Sequence, residues 1–254
     1  MRYAEKKLEE IVNAGLANRG DYEDWCDSID FIQAFCDGRI KKGDPVLMFS
    51  IDSALLYCSK SSDCWMYIWV VFSLDPSTHC YKKVAILFGG IIPGPNKPKV
   101  LKSFFSPRLH YLSAIQKEGL MIWDAFSDMK YISHPFLMLA TADGPAMAYI
   151  NGLVRHQWKI GCLLYCPFPG HRKESHYYLV CLKLLDDNTS DNNHDDLNPT
   201  TFVSITLSDY KKSLAYLVES HNLTEYKFCR LKTGIVKPGI FLGLQEKHTL
   251  SIPR

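Results

Sequence analysis

Apolar positions recur at helical spacing over the first forty residues. Leu8, Ile11, Val12 and Leu16 keep one stripe, and Trp25, Ile29, Ile32 and Phe35 repeat the spacing after an Asn-Arg-Gly-Asp break. This pattern predicts helix from residue 4 to about 40, closed by Gly43-Asp44-Pro45. The period then changes. VLMFSIDSALLY (46–57), CWMYIWVVFSLD (64–75) and KKVAILFGGIIPG (82–94) are apolar runs rich in β-branched and aromatic residues, and predict three strands. Their short connections predict hairpin or meander pairing.

A proline-punctuated loop, PGPNKPK, leads to a helical pattern from Leu101 to about Trp123, with Leu109, Leu112, Ile115, Leu120 and Ile122 on its buried side. Pro107 falls inside it, so the helix is expected to start there with Ser106 as N-cap. FLMLATAD (136–143) predicts a fourth strand, GPAMAYINGL a helix with Pro145 in its first turn, and KIGCLLYCPF a fifth strand or an extended segment. A polar Asp/Asn-rich stretch follows Leu185, and residues 204–231 read as helical through Leu214, Leu217, Val218, Tyr226 and Leu231. Three adjacent antiparallel strands followed by alternating helices and strands predict an α/β protein with a mixed five-stranded sheet and flanking helices. The expected divisions are an N-terminal helical extension (1–44), a sheet-containing core (45–185), an acidic polar loop (186–202) and a helical region (203–254).

Composition fills in this picture. Hydrophobic residues are 47% of the chain and aromatic residues 13%, enough for a large core. The formal net charge of +2 is unevenly spread. Lys97, Lys99, Lys102, Arg108 and Lys117 form one basic zone and Arg155, Lys159, Arg172 and Lys173 a second, while acids gather in 21–37 and 186–196. Such zones suit a polyanionic substrate, and equally a solvated surface. The N-terminal residues are charged and amphipathic, unlike a secretory signal, and no run reaches membrane-spanning length. The 9 cysteines form no disulfide framework. An intracellular protein with reduced thiols and no membrane partner is expected.

Two acids interrupt apolar strand-like runs: Asp52 in the first and Asp143 at the end of the fourth. On neighbouring strands they would meet at one sheet edge and offer the hard oxygen ligands that Mg²⁺ or Mn²⁺ takes in phosphoryl transfer. Asp143, just before Gly-Pro, reads equally well as a helix N-cap, and Asp52 as a strand residue facing water. A second constellation is Cys162, Cys166, His171 and His176, spaced C-x3-C-x4-H-x4-H. Zinc takes four such ligands, although finger-type sites leave a longer stretch between the two pairs. The same residues also read as a buried Cys162, a turn Cys166 and surface histidines, or as a Cys166–His171 nucleophile pair without an orienting third group. Lys97 and Lys99 on the stiff loop, with Arg155, His156 and Lys159 after the helix that follows Asp143, are candidate phosphate contacts or plain surface.

Several long segments together carry a resemblance: SIDSALLYCSKSSDCWMYIWVVFSL, GGIIPGPNKPK, FFSPRLHYLSAIQKEGLMIWDA, HPFLMLATADGPAMAYINGLVRHQWKIGCLLYCPFPGHRKESHYY and CRLKTGIVKPGIFLGL. They resemble the transposases of CACTA (En/Spm-type) elements in their fungal form, from about residue 40 onward. The resemblance implies an RNase H-like catalytic core that cuts and joins transposon-end DNA in the nucleus with Mg²⁺ or Mn²⁺. It further implies that Asp52 and Asp143 are the first two members of an acidic triad. The position after the first acid, commonly glycine in that family, is Ser53 here, and Pro169 stands where plant relatives carry a second cysteine. The third acid is expected downstream of these residues, after a large helical insertion. The core is therefore expected to be a fragment, weak or inactive alone. The other expectation is a domesticated module that binds nucleic acid or protein without catalysis. An unpaired sheet edge would also favour self-association.

Overall fold

The computed structural model describes residues 2–15, 24–55, 63–75, 82–92, 100–163, 165–166, 168–183, 195–201 and 205–250. The chain forms two compact units, Met1–Thr141 with Gly243–Leu250, and Ala142–Leu242 with Ser251–Arg254.

The first unit is built on a four-stranded mixed sheet. Its strands are β1 (Val46–Leu55), β2 (Asp63–Val71), β3 (Ile86–Ile92) and β6 (Phe136–Thr141), in the order β3-β2-β1-β6. β1–β2 and β2–β3 are antiparallel, and β6 runs parallel to β1. Alternation along β1 sends its side chains to opposite faces. Phe49 packs edge-on against Trp69 and against Phe105 of α3 (Lys102–Glu118), with ring centroids 5.0 and 5.8 Å apart. The other face is covered at one end by α1 (Arg2–Ala14) and α2 (Ile29–Cys36). There Ala4, Leu8, Ile11, Phe31 and Ile32 bury against Val46, Val70, Phe72 and Phe136.

A second, two-stranded sheet pairs β4 (Leu120–Asp124) with β5 (Met129–Ser133). It is entered from α3 through Gly119, at φ +81°, where a Cβ would strike Ile132. Residues 243–250 return to this unit. Arg39 donates to the carbonyls of Glu246 (2.8 Å), Lys247 (3.1 Å) and Thr249 (2.8 Å). Gln116, fully buried, donates from Nε2 to the carbonyls of Pro135 (3.2 Å) and His248 (2.9 Å), while its Oε1 accepts from Gln245 N (3.3 Å). Thr249 bridges to Leu137 beside β6.

The second unit contains α4 (Gly144–Asn151), a short hairpin of β7 (His171–Lys173) and β8 (His176–Tyr178), α5 (Leu207–Val218) and α6 (Leu223–Thr233). Leu153, Tyr165, Tyr210, Leu214, Leu217, Cys229 and Ile235 form its core. The end of α4 is tied to the chain after α6. Val236 N donates to Gly152 O (2.7 Å), Val154 N to Gly234 O (2.9 Å) and Ile240 N to Ile150 O (2.9 Å). Gly152, at φ +69°, brings its backbone so near Lys237 O that a Cβ would overlap it.

The mixed α/β architecture and the first four sheet strands agree with the sequence reading, and three corrections follow. The main sheet has four strands among the described residues, not five. Lys159–Phe168 contains turns instead of a strand: Tyr165 N bonds back to Cys162 O at 3.1 Å, and Tyr165 sits at φ +58°. Among the described residues of this segment, Tyr165 is buried by packing on the Tyr210 ring in place of strand pairing. Next, α3 begins at Lys102, so Pro107 lies inside the helix and Ser106 is not its cap. Burial of Leu101 and Phe105 holds the extra turn despite the missing proline N–H. Finally, α3 ends at Gly119, and Leu120–Trp123, expected as helix, is strand. Among the described residues, the N-terminal helical stretch shows two helices with a single turn, Trp25–Asp27, before the second. The late one is likewise two, split at Glu219–Asn222.

Two measurements test how residues 243–250 are held. Gln116→Leu keeps volume but removes the partner of two carbonyls, the Thr249 hydroxyl and one N–H, and should lower unfolding free energy by on the order of 3 kcal/mol in urea denaturation. His248 is buried and stacked on His134 with ring centroids 5.0 Å apart. Burial first, then His134 and Lys247, lower its pKa below the ordinary value, against the pull of Asp44. Because the unfolded chain then takes up the proton more readily, His248's share of stability is complete above about pH 6.5 and falls as pH drops through the lowered value. Melting curves between pH 7.5 and 5 should show this loss, and His248→Phe should flatten it.

Candidate active site

Asp52 follows from the gradient of cover along one face of β1. Met48 and Ser50 are half-buried and Asp52, two residues on, is exposed, opposite Met66 of β2. The α1/α2 layer reaches Met48, which packs against its core. Carboxylate oxygen Oδ1 accepts from Ser53 N at 2.7 Å. The described residues give Oδ2 no hydrogen bond.

Asp143 is a helix cap. Its backbone is extended (φ −62°, ψ 162°), and Oδ1 accepts from Ala146 N at 2.8 Å, with Pro145 in the first turn as expected. Capping engages one carboxylate oxygen and leaves Oδ2 without a hydrogen bond among the described residues. A capping aspartate therefore keeps an oxygen available to a cation, and the two roles are compatible. Ser50 of β1 pairs with Thr141 of β6 at the last registered position of the parallel pair. Each aspartate lies two residues further along its own segment.

The cysteine–histidine group separates into parts. Cys162 and Cys166 are neighbours, and burial, then Cys162, pushes the Cys166 thiol up to about 12. A thiol held protonated at neutral pH is a poor nucleophile, which argues against a Cys166–His171 nucleophile pair. His171 is buried on β7 and His176 exposed on β8, where its Nδ1 lies 2.8 Å from Ser175 Oγ. His171 pairs with Tyr178 and His176 with Lys173, so the histidines are not cross-strand partners. No cluster of three or more His, Cys, Asp or Glu side chains suited to a metal ion occurs among the described residues. Cys181 is a neighbour of Cys166 that sequence spacing did not single out. It lies 15 residues downstream, outside any short ligand motif.

Of the candidate phosphate contacts, Arg155 and His156 are exposed on the turn after α4. Lys159 is half-buried, and its carbonyl accepts from Gly170 N at 2.7 Å. Beside them the guanidinium of Arg230 lies over the Trp158 ring, 4.6 Å from its centroid. Lys97 and Lys99 lie outside the described residues.

The fold and these residues define a mixed α/β protein whose two parallel strands lead into exposed aspartates. Residues 54–179, just under half of the chain, match the family model described as transposase family tnp2. The match supports a transposase family and, with it, DNA as the general class of partner. It takes in Asp143 and all four cysteine and histidine candidates, and begins two residues after Asp52. No curated protein matches the chain. No helix among the described residues is long and apolar enough to cross a membrane.

Substitution separates the two roles of Asp143. Asparagine caps a helix about as well as aspartate, whereas alanine costs about 1 kcal/mol. Asp143→Asn should therefore melt like the native chain and Asp143→Ala below it, while both lose any contribution of the carboxylate to metal binding. Thermal unfolding followed by circular dichroism, beside a Mn²⁺ titration, reads both effects.

Proposed function

We propose that this chain is an RNase H-like transposase core of the CACTA type, in which Asp52 and Asp143 hold Mg²⁺ or Mn²⁺ at a DNA phosphodiester. The observation that carries the proposal is the sheet order β3-β2-β1-β6 with β1 and β6 parallel. Ser50 and Thr141 are the last registered residues of that parallel pair, and along the chain each is followed two residues later by one of the acids. The tnp2 match over residues 54–179 supports the same reading.

The donors suit a hard cation: two exposed carboxylates, each bonded through Oδ1 to a backbone N–H of its own segment. A bound divalent ion would supply Lewis-acid stabilisation of the phosphoryl oxygens and activation of the attacking oxygen. The protein's part is orientation. Ser53 N and Ala146 N each fix one carboxylate oxygen and leave the other for a cation. A third acidic ligand completes the triad in this reading, so strand cleavage by these residues alone is weak. For zinc, Cys162 and Cys166 are the neighbouring thiols, and metal analysis of the purified chain tests whether they bind it.

The test is Mn²⁺ binding by the whole chain, followed by electron paramagnetic resonance, beside an assay for nicking of a transposon-end duplex. Asp52→Asn and Asp143→Asn should each weaken Mn²⁺ binding at least about ten-fold, with little nicking by any form. Unchanged Mn²⁺ affinity in both variants would falsify the two-carboxylate site. Robust nicking by the native chain would overturn the expectation of weak activity.

A further inference from the structure

We propose that the outer surface of α3 is a binding surface for unpaired DNA, with Phe104 and Tyr111 stacking on bases and Arg108 between them contacting the backbone. Phe104, Arg108 and Tyr111 stand at i, i+4 and i+7, which places them along one stripe of the helix. The stripe runs along an exposed flank of the helix: Phe104 is 44% and Tyr111 65% exposed, whereas Phe105, Leu109 and Leu112 of the same helix are buried. The Arg108 guanidinium is held over the Tyr67 ring, 5.8 Å from its centroid, so its position is set by the sheet beneath.

Charge selects the occupant. From Val100 to Lys117 the chain has no acidic residue, and Lys102, Arg108, His110 and Lys117 are all exposed. None of these cations has a carboxylate within ion-pair distance among the described residues. A surface with exposed cations and exposed aromatic rings fits a polyanion that also presents flat apolar faces. Single-stranded nucleic acid does both, because its phosphates take the cations and its unpaired bases stack on the rings. Paired DNA hides its base faces and would use only the charges. The surface belongs to the first unit and uses neither aspartate of the proposed metal site. The choice of DNA rests on the transposase reading above.

The experiment is fluorescence anisotropy with the whole chain in EDTA, using a fluorescein-labelled mixed-sequence oligonucleotide, single-stranded and as a duplex, across a salt series. Phe104→Ala and Tyr111→Ala should each weaken single-strand binding roughly five-fold or more while leaving duplex binding and the salt slope unchanged. Arg108→Ala should lower the single-strand salt slope by about 0.7. Lys130→Ala, an exposed control on β5, should leave both at native values. A Phe104→Ala/Tyr111→Ala chain that folds normally and binds single strands with native affinity overturns the proposal. So does an Arg108→Ala slope equal to that of the control. Because EDTA removes any metal-dependent step, these outcomes are independent of the Mn²⁺ result for Asp52 and Asp143.

Discussion

β1 is hydrogen-bonded on both edges and packed on both faces, and the first unit is organised around that constraint. Its two partners use both of its hydrogen-bonding edges, and because its residues are apolar in both alternating series, both faces must also find cover. Phe49 and Ile51 find it on the α3 side. Val46 and Met48 find it in the core shared by α1, α2 and β6. The cover is unequal in length, and Asp52 sits where one layer has run out. An aspartate further back would be buried among apolar side chains at a cost of several kcal/mol unless paired. The candidate site therefore lies at the point where the packing allows a charge.

The same constraint explains what was legible in the sequence. β1 and β6 are nearly continuous apolar runs because they are covered on both faces for much of their length, and such runs stand out against a polar background; β3, at the sheet edge, is as apolar but leaves Leu87, Phe88 and Ile91 exposed. Asp52 and Asp143 were visible for the same reason, as charges interrupting those runs. Pro107 misled because its effect is local and the burial of Leu101 and Phe105 is not: a tertiary contact outweighed the helix-breaking signal. KIGCLLYCPF misled in the opposite sense. Its composition suits a strand, but turns at Trp158 and Tyr165 bury it without pairing. The β4–β5 hairpin was missed because Met121, Trp123 and Ile132 are exposed, so no buried face imposes an alternating pattern. The Cys162–Cys166 pair was readable from spacing, whereas Cys181 joins them only through the fold.

Within the second unit, backbone contact replaces the packing of large side chains. Gly152 and Gly239 stand where the end of α4 and the chain after α6 approach each other, and their nearest neighbours are backbone atoms of the opposite segment. Tyr210 spans the same junction, its hydroxyl within bonding distance of Asn151 O (3.5 Å) and Gly239 N (3.3 Å). The Lys237 ammonium caps the Tyr149 ring, 3.2 Å from its centroid. A helix opened by an aspartate cap and closed by these bonds is fixed at both ends, so Asp143 is held by a short, pinned element.

The return of residues 243–250 to the first unit has a consequence for the order of events during synthesis. Arg39 reaches its carbonyl partners across as many as 210 residues of chain. On a translating ribosome, β1, β2 and β3 can pair soon after they emerge, and β6 can join them later. The pocket that Arg39 and Gln116 build for residues 243–250 must wait until those residues have been added, long after β6. For that interval the edge of β6 that Thr249 and Leu250 join at Leu137 stays open. Long-range closure of this kind slows folding and lengthens the exposure of strand edges to other chains. Production of the protein should thus be governed less by the strength of its finished core than by how well that open edge is shielded while the chain is still being made.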